Sequence, residues 1–376
     1  MTIRVGVIGC GDVATYVYLP TLKQCADLCT VTAVCDRDPD RARLAAEQFA
    51  VPQVYTDLDR FLQEAPVEAV LNLTPNQHHF AVSLAALQAG KHVYTEKTLA
   101  VTLEEADRLL AEAEQRGLIF ASAPAVMLNP VNQVARQLLQ EGAIGRVCYA
   151  IGHAAHGGPA RRGYFAWYRR ALEHLGLPAE RLVSTDPTWF YQPGAGPLLD
   201  LGVYALTTLT GLLGPVRQVT ALSGRQVPEL VIEGGVAQGR RITVAVDDTT
   251  LLLLDFGNAT FAMVDASYNV LATRRPQFEI YGSSGVITMN PQQPVPPQIE
   301  VYRGEDLPTG EPRWERPAVP GPRWHLGAGI PHFLECLRDR RRPIISGEHA
   351  RHVLEVMLKA YAAATEGRTQ TITRLF

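Results

Sequence analysis

Charge is scarce in this chain. Asp, Glu, Lys and Arg make up 19% of its 376 residues against 47% apolar, and 35 basic residues nearly balance 38 acidic ones, for a net charge of −3. That balance excludes a self-repelling disordered chain, and it offers neither a basic field for nucleic acid nor an acidic tail. Cysteine is also sparse: Cys10, Cys25, Cys29, Cys35, Cys148 and Cys336 include no CxxC pair. They read as buried apolar residues of a reducing compartment, with no disulfide framework and no metal site. No apolar run approaches the roughly 20 residues of a membrane helix. No charged-then-apolar leader precedes the first strand, "MTIRVGVIG". These absences describe a cytoplasmic protein without a membrane or nucleic-acid partner. The length suits two domains.

Up to about residue 120, short β-rich runs ("IRVGVIG", "VTAVCD", "EAVLNLT", "HVYTEK", "LIFASA") alternate with segments of helical period. Such alternation predicts a parallel sheet with helices on both faces. Asp38-Pro39 marks one helix start. Thr102 with Glu105 forms a capping box, and Gly117 ends that helix. After "NPVNQVARQLLQEGAIG", which reads as a helix, longer strands take over: "RVCYAIGHAA", "RQVTALSGRQV", "ITVAVDDTTLLLLDF", "ATFAMVDASYN" and "FEIYGSSGVITM". They predict an antiparallel or mixed sheet with one face free for association. The proline-rich stretch from Pro291 to Pro322 reads as a surface excursion, and two helices close the chain. The expected domains are 1–123 and 124–376.

Four places carry chemistry. In "GVIGCGDVA", Gly9, Gly11 and Ala14 match GxGxxG/A between a strand and a helix, with Asp12 and Val13 inside the loop. That pattern lets backbone and a helix N-terminus approach a pyrophosphate. The next strand ends in Asp36, whose carboxylate suits the ribose hydroxyls of NAD and repels a 2′-phosphate; Arg37 beside it keeps NADP open. In "LNLTPNQHH", Thr74 and Pro75 end a strand at the same sheet edge, Asn76 is placed to cap the next helix, and His79 follows; His78 reads as a surface residue. In "YTEKTLA", Glu96 and Lys97 end the next strand. Desolvation and a neighbouring positive ring would lower the lysine's pKa toward working pH and fit it for proton transfer; a surface salt bridge is the competing reading. In "GAGPLLDLGVYALTTLTGLLG", Asp200 interrupts an apolar helix, with Tyr204 four residues on and Lys97 as the natural partner.

Residues 157–196 carry Arg161, Arg162, Arg169, Arg170 and Arg181 with Trp167, Tyr168, Trp189 and Tyr191. A solvated insertion and a wall over a polar ligand both fit, and Trp189 and Tyr191, near Gly194, are the candidate substrate contacts. His153 and His156 lie three apart on a strand pattern and so point to opposite faces, a poor arrangement for one metal.

Taken together and in this order, "GVIGCGDVATYVYLPTL", "TPNQHH", "AGKHVYTEKTLAVTLEEADRL", "LLQEGAIGRV", "GPLLDLGVYALTTLTGLLGPV" and "GEHARHVLEVMLKAYAAATEGR" resemble the blocks of the glucose–fructose oxidoreductase / inositol dehydrogenase / rhizopine-catabolism (Gfo/Idh/MocA) family across nearly the whole chain. The resemblance implies an N-terminal Rossmann doubly wound parallel sheet and a C-terminal α+β domain. The latter carries an open, mostly antiparallel sheet that often forms the subunit interface of a homodimer or homotetramer. It implies hydride transfer between NAD(P) and a hydroxyl-bearing carbon of a sugar, cyclitol or related polyol. An NAD-dependent glycosidase acting by transient oxidation and a catalytically inactive cofactor sensor are the alternatives. By position, Lys97 matches the lysine of the family's EKP motif, which helps bind nicotinamide and exchanges the hydroxyl proton. Asp200 matches the aspartate that orients substrate and lysine. Tyr204 stands where many members have histidine and those like dihydrodiol dehydrogenase have tyrosine. Gly9, Gly11, Ala14, Asp36, Thr74, Pro75, Asn76, His79 and Glu96 match cofactor-side positions. Thr98 replaces the motif's proline, which leaves either a cis or a trans bond before it.

Overall fold

The structure, a computed structural model, describes residues 2–174, 186–292, 298–304 and 313–376. The first sheet contains β1 (Ile3–Ile8), β2 (Cys29–Cys35), β3 (Gln53–Tyr55), β4 (Ala69–Asn72), β5 (His92–Thr95) and β6 (Phe120–Ser122). All are parallel, in the order β3-β2-β1-β4-β5-β6. Helices α1 (Leu19–Gln24), α2 (Pro39–Phe49), α3 (Leu58–Glu64), α4 (Asn76–Gln88) and α5 (Leu103–Arg116) make the crossovers. The anticipated caps are present. Asp38 accepts from the backbone of Asp40 and Arg41, Thr102 and Glu105 form their reciprocal box, and Gly117 closes α5 at φ +63. The strand order reverses between β1 and β4. That reversal opens a crevice at the carboxyl ends of the strands, where such sheets take their ligands.

After α6 (Pro130–Gln140) the chain forms β7 (Val147–Ala155), α7 (Arg162–His174), α8 (Val203–Leu213), β8 (Gln218–Gly224), and a separate ribbon of β9 (Glu229–Val231) and β10 (Arg241–Thr243). There follow β11 (Thr249–Asp255), β12 (Phe261–Ser267), β13 (Phe278–Gly282), β14 (Gly285–Met289), β15 (Ile299–Arg303), β16 (Arg313–Glu315), α9 (Gly329–Asp339), α10 (Gly347–Glu366) and β17 (Gln370–Thr371). The second sheet runs β16-β15-β14-β13-β7-β12-β11-β8-β17 and is antiparallel except between β7 and β12. Alternate residues of β11 and β12 are buried. α8 and α10 pack on the covered face, and the other face is open.

Three details depart from the sequence reading. The segment "ITVAVDDTTLLLLDF" is two strands, β10 and β11, in different sheets. The proline-rich stretch is more than an excursion, because β15 and β16 within it extend the sheet beyond β14. β3 was not singled out by pattern, since three residues on a sheet edge show no period. Core membership also crosses the expected division at residue 123. Ile330, Phe333 and Leu334 of α9 pack with Val5, Leu71 and Tyr94 of the first sheet. Among the described residues no helix is long and apolar enough to cross a membrane.

Candidate functional site

The crevice loops are built for close approach. Gly9 sits at φ +92, and a Cβ there would lie 2.8 Å from the carbonyl carbon and oxygen of Leu73 and from Thr74 N. Only glycine fits this turn against the β4 loop. A Cβ on Gly11 would meet nothing within 4 Å, so backbone here faces open space. Asp12 is buried, and Val13 leads into a π-helical turn, Ala14–Tyr18. Asp36 ends at the same loop. Its Oδ2 accepts from Cys10 N–H at 2.7 Å and its Oδ1 from Asp38 N–H at 2.9 Å. A carboxylate has about four acceptor directions, so these bonds orient it and leave capacity for further donors. Arg37 is exposed.

The β4 loop is held by side chains. Asn72 Oδ1 accepts from the Thr74 hydroxyl at 2.7 Å. Pro75, not Asn76, takes the cap position of α4. Asn76 is the first helical residue, and its Nδ2 donates to Gly194 O at 2.5 Å, tying the loop to the chain that leads to Asp200. Its buried Oδ1 has no partner among the described residues, an acceptor that a ligand donor would satisfy. His79 is fully buried. Its two ring nitrogens lie 2.6 Å from Thr98 O and 2.7 Å from Thr74 O, so it ties together the ends of β4 and β5. His78 is exposed.

At the end of β5, Glu96 and Lys97 do not pair through their side-chain charges. Tyr18 donates to Glu96 Oε1, and Lys97's own backbone N–H donates to Glu96 Oε2 at 3.0 Å. Burial and Glu96 push the Tyr18 phenol well up, which keeps it the donor. The bond between Lys97 and Thr98 is cis. The Lys97 ammonium crosses to the second part of the chain, where Nζ meets Asp200 Oδ1 at 2.5 Å and Asp200 O at 3.1 Å. It also lies 5.5 Å from the centre of the Tyr204 ring. Both side chains of the ion pair are largely buried, 16% and 14% exposed. Burial works against the charge on Lys97, but the Asp200 carboxylate, Tyr204 and Glu96 outweigh it, and its pKa is raised. The expectation of a lowered value is thus reversed in the protein alone, because a buried carboxylate at contact distance favours the charged amine more than desolvation disfavours it.

Asp200 lies in a second π-helical turn, Leu198–Gly202, which leads directly into α8 and Tyr204. Its other oxygen, Oδ2, accepts from Tyr268 at 2.9 Å. Burial first, and Asp200 next, hold the Tyr268 phenol well above its ordinary pKa, so it remains a donor. Tyr191 is buried, its hydroxyl accepts from Ala160 N–H at 3.2 Å, and its ring lies 5.4 Å from that of Tyr268. It therefore props the Tyr268 ring. Trp189 stacks on Phe190 in the same small core. Arg161 pairs with Glu233; Arg181 and the side chains of Trp167 and Tyr168 lie outside the described residues. Sequence reasoning does not find Tyr18 and Tyr268, and it places His156 on a strand only as a poor metal ligand. Tyr18 lies one helical turn past Ala14, a spacing that marks it. Tyr268 stands just beyond β12, and His156 lies one residue beyond β7 instead of within it.

This arrangement brings a lysine, a carboxylate and two tyrosines together at the carboxyl edge of a dinucleotide-type sheet. Its glycine cradle, the oriented Asp36 and the unpartnered Asn76 oxygen fit a bound dinucleotide. Comparison with known proteins agrees. The chain is 28% identical over 372 residues to a dTDP-3,4-didehydro-2,6-dideoxy-alpha-D-glucose 3-reductase of Actinomadura kijaniata, covering 98% of this chain and 95% of that one. It is 25% identical over 318 residues to a levoglucosan dehydrogenase of Pseudarthrobacter phenanthrenivorans, covering 76% and 75%. A solved levoglucosan dehydrogenase in complex with NADH and L-sorbose superposes with a TM-score of 0.80 at 20% identity, covering all of both chains. Residues 3–123 match the oxidoreductase family with an NAD-binding Rossmann fold, and residues 132–288 match the GFO/IDH/MocA C-terminal domain. The chain belongs to the Gfo/Idh/MocA family of NAD-binding oxidoreductases.

Proposed function

We propose that the protein is a dehydrogenase that moves a hydride between NAD and a hydroxyl-bearing ring carbon of a sugar, cyclitol or related polyol, with Lys97 as the general acid and base. The observation that carries this reading is the buried contact between Lys97 Nζ and Asp200 just beyond the carboxyl end of β5. The names of relatives point the same way, among them levoglucosan dehydrogenase and D-glucoside 3-dehydrogenase. The residues that would hold the cofactor are Gly9, Gly11, Asp12, Val13 and Ala14 at the pyrophosphate, and Asp36 at the ribose. Thr74, Pro75, Asn76, Glu96 and Lys97 would line the nicotinamide end, with His79 fixing their loops. Asp36 favours NAD over NADP, because a 2′-phosphate would meet its carboxylate.

Bound NAD supplies the hydride acceptor, or, when reduced, the donor. Lys97 handles the proton. In the oxidising direction its neutral amine takes the proton of the substrate hydroxyl; in the reducing direction its ammonium returns it. Asp200 aims the amine through one oxygen and is itself held by Tyr268 through the other. Tyr204 flanks the amine and would orient the substrate oxygen. Trp189 and Tyr191 back the wall that faces the substrate. The open face of the second sheet exposes Tyr149, Leu222, Leu251, Leu253, Phe261 and Met263. A contiguous apolar face of this size on a sheet favours pairing with a second copy of the chain.

The test is an absorbance screen of neutral sugars, cyclitols, polyols and sugar acids with NAD and NADP in parallel. The proposal expects reduced cofactor with at least one neutral polyhydroxy substrate and a preference for NAD. No cofactor reduction across the panel would overturn it.

A further inference from the structure

His156 stands beside the Lys97–Asp200 pair without joining it. Its backbone N–H donates to Ser267 O at 3.0 Å, which anchors it one residue beyond β7. Its ring stacks on Tyr268, with centroids 5.7 Å apart and planes at 20°, and Tyr268 is the donor to Asp200. Nδ1 lies 2.8 Å from the backbone nitrogen of Gly158. A backbone nitrogen can only donate, so Nδ1 is the acceptor and the neutral ring carries its proton on Nε2. Gly158 is itself fixed. It sits at φ +84, and a Cβ there would lie 2.7 Å from the Tyr191 hydroxyl oxygen and 3.1 Å from Tyr268 Cβ. Burial lowers the imidazole's pKa; Asp200 opposes this and Lys97 adds to it, with a net lowering. The result is a neutral donor of fixed tautomer and direction, within electrostatic reach of the reacting pair. The ring is half-buried, and no protein group accepts from its Nε2–H among the described residues.

We propose that His156 is a substrate-binding residue whose Nε2–H donates to an oxygen of the substrate, on the side of the site built by the second sheet. The inference rests on the dehydrogenase reading above and sharpens its substrate class. An uncharged N–H suits a hydroxyl or ring ether oxygen, so neutral sugars and polyols are favoured over sugar acids.

The experiment measures KM, kcat and NADH affinity for the full-length wild type, His156→Phe and His156→Gln with the best substrate of the panel. Phenylalanine keeps the stack on Tyr268 and removes the N–H. Glutamine keeps an N–H near the position of Nε2. The expected result for His156→Phe is a rise in KM of roughly tenfold with kcat and NADH affinity near wild type, the signature of lost ground-state binding; His156→Gln recovers most of it. Should the phenylalanine variant fail to fold, His156→Asn replaces it, since it can still accept from Gly158 but lacks the distal donor, and the same rise in KM is expected. An unchanged KM overturns the inference while wild-type turnover leaves the dehydrogenase reading standing. Loss of NADH affinity alongside KM in all variants shows a structural ring and also overturns it. A wild type that fails to reduce NAD with every compound of the panel overturns both.

Discussion

Lys97 sits under opposing influences, and the balance between them sets the pH at which it can act. Burial disfavours its charge; Asp200, in contact through Oδ1, favours it and prevails. The folded-state pKa is therefore raised, and on the proposed mechanism the neutral amine that oxidation requires appears only at the alkaline end. Replacing Asp200 by asparagine removes the carboxylate and leaves desolvation in place, so the lysine's pKa falls. In Asp200→Asn the rise of the oxidation rate with pH is expected to move to lower pH than in wild type. Its plateau should drop by roughly tenfold or more as the amine loses its aim. A pH–rate profile that keeps its midpoint, or moves it upward, would show that Asp200 does not control the lysine. Both residues were visible in the sequence, one at a strand end and one interrupting a leucine run. Their contact was inferable because a lone buried aspartate requires a partner. The second partner of that aspartate, Tyr268, was not inferable, because residues 200 and 268 meet only through the pairing of β12 with β7 and the packing of the second π-helical turn on β12.

At the scale of elements, the open face of the second sheet makes its own prediction. Leu253 on β11 and Phe261 on β12 are 59% and 51% exposed, on strands whose alternate residues form the core. If that face joins two copies, Leu253→Lys together with Phe261→Lys places two charges in an apolar contact and should yield monomers by light scattering, with the circular dichroism of the fold retained. An unchanged mass would remove this face as the interface. The elements themselves were unevenly legible. Helix starts at Asp38 and Thr102 and the stop at Gly117 could be read locally, since capping is a property of a few adjacent residues. The long apolar runs holding "TTLLLLD" and "FAMVDAS" could also be read as strands, although their alternating burial shows only in the structure. The π-helical turns at Ala14–Tyr18 and Leu198–Gly202, the edge strands β3 and β16 and the short strand β15 between β14 and β16 were not legible, since tertiary packing, not local pattern, selects them.

In the whole molecule, the site depends on the carboxyl ends of the first sheet's strands being held against the segment before α8. The first sheet brings Gly9, Asp36, Asn76 and Lys97 to its carboxyl edge; the π-helical turn and α8 bring Asp200 and Tyr204; the ends of the central strands β7 and β12 bring His156 and Tyr268. Asn76 to Gly194 and Lys97 to Asp200 are the polar ties between these parts at the site, and α9 returning to the first core adds an apolar one. On the proposed function, Lys97 moves the proton while most of the dinucleotide rests on other groups. The most direct measurement is therefore of Lys97→Ala, with turnover and NADH affinity determined on the same preparation. The account predicts a kcat lower by roughly 10²–10⁴-fold, the usual worth of a positioned acid–base group, with NADH still bound at near wild-type affinity. A variant that turns over at the wild-type rate would contradict it.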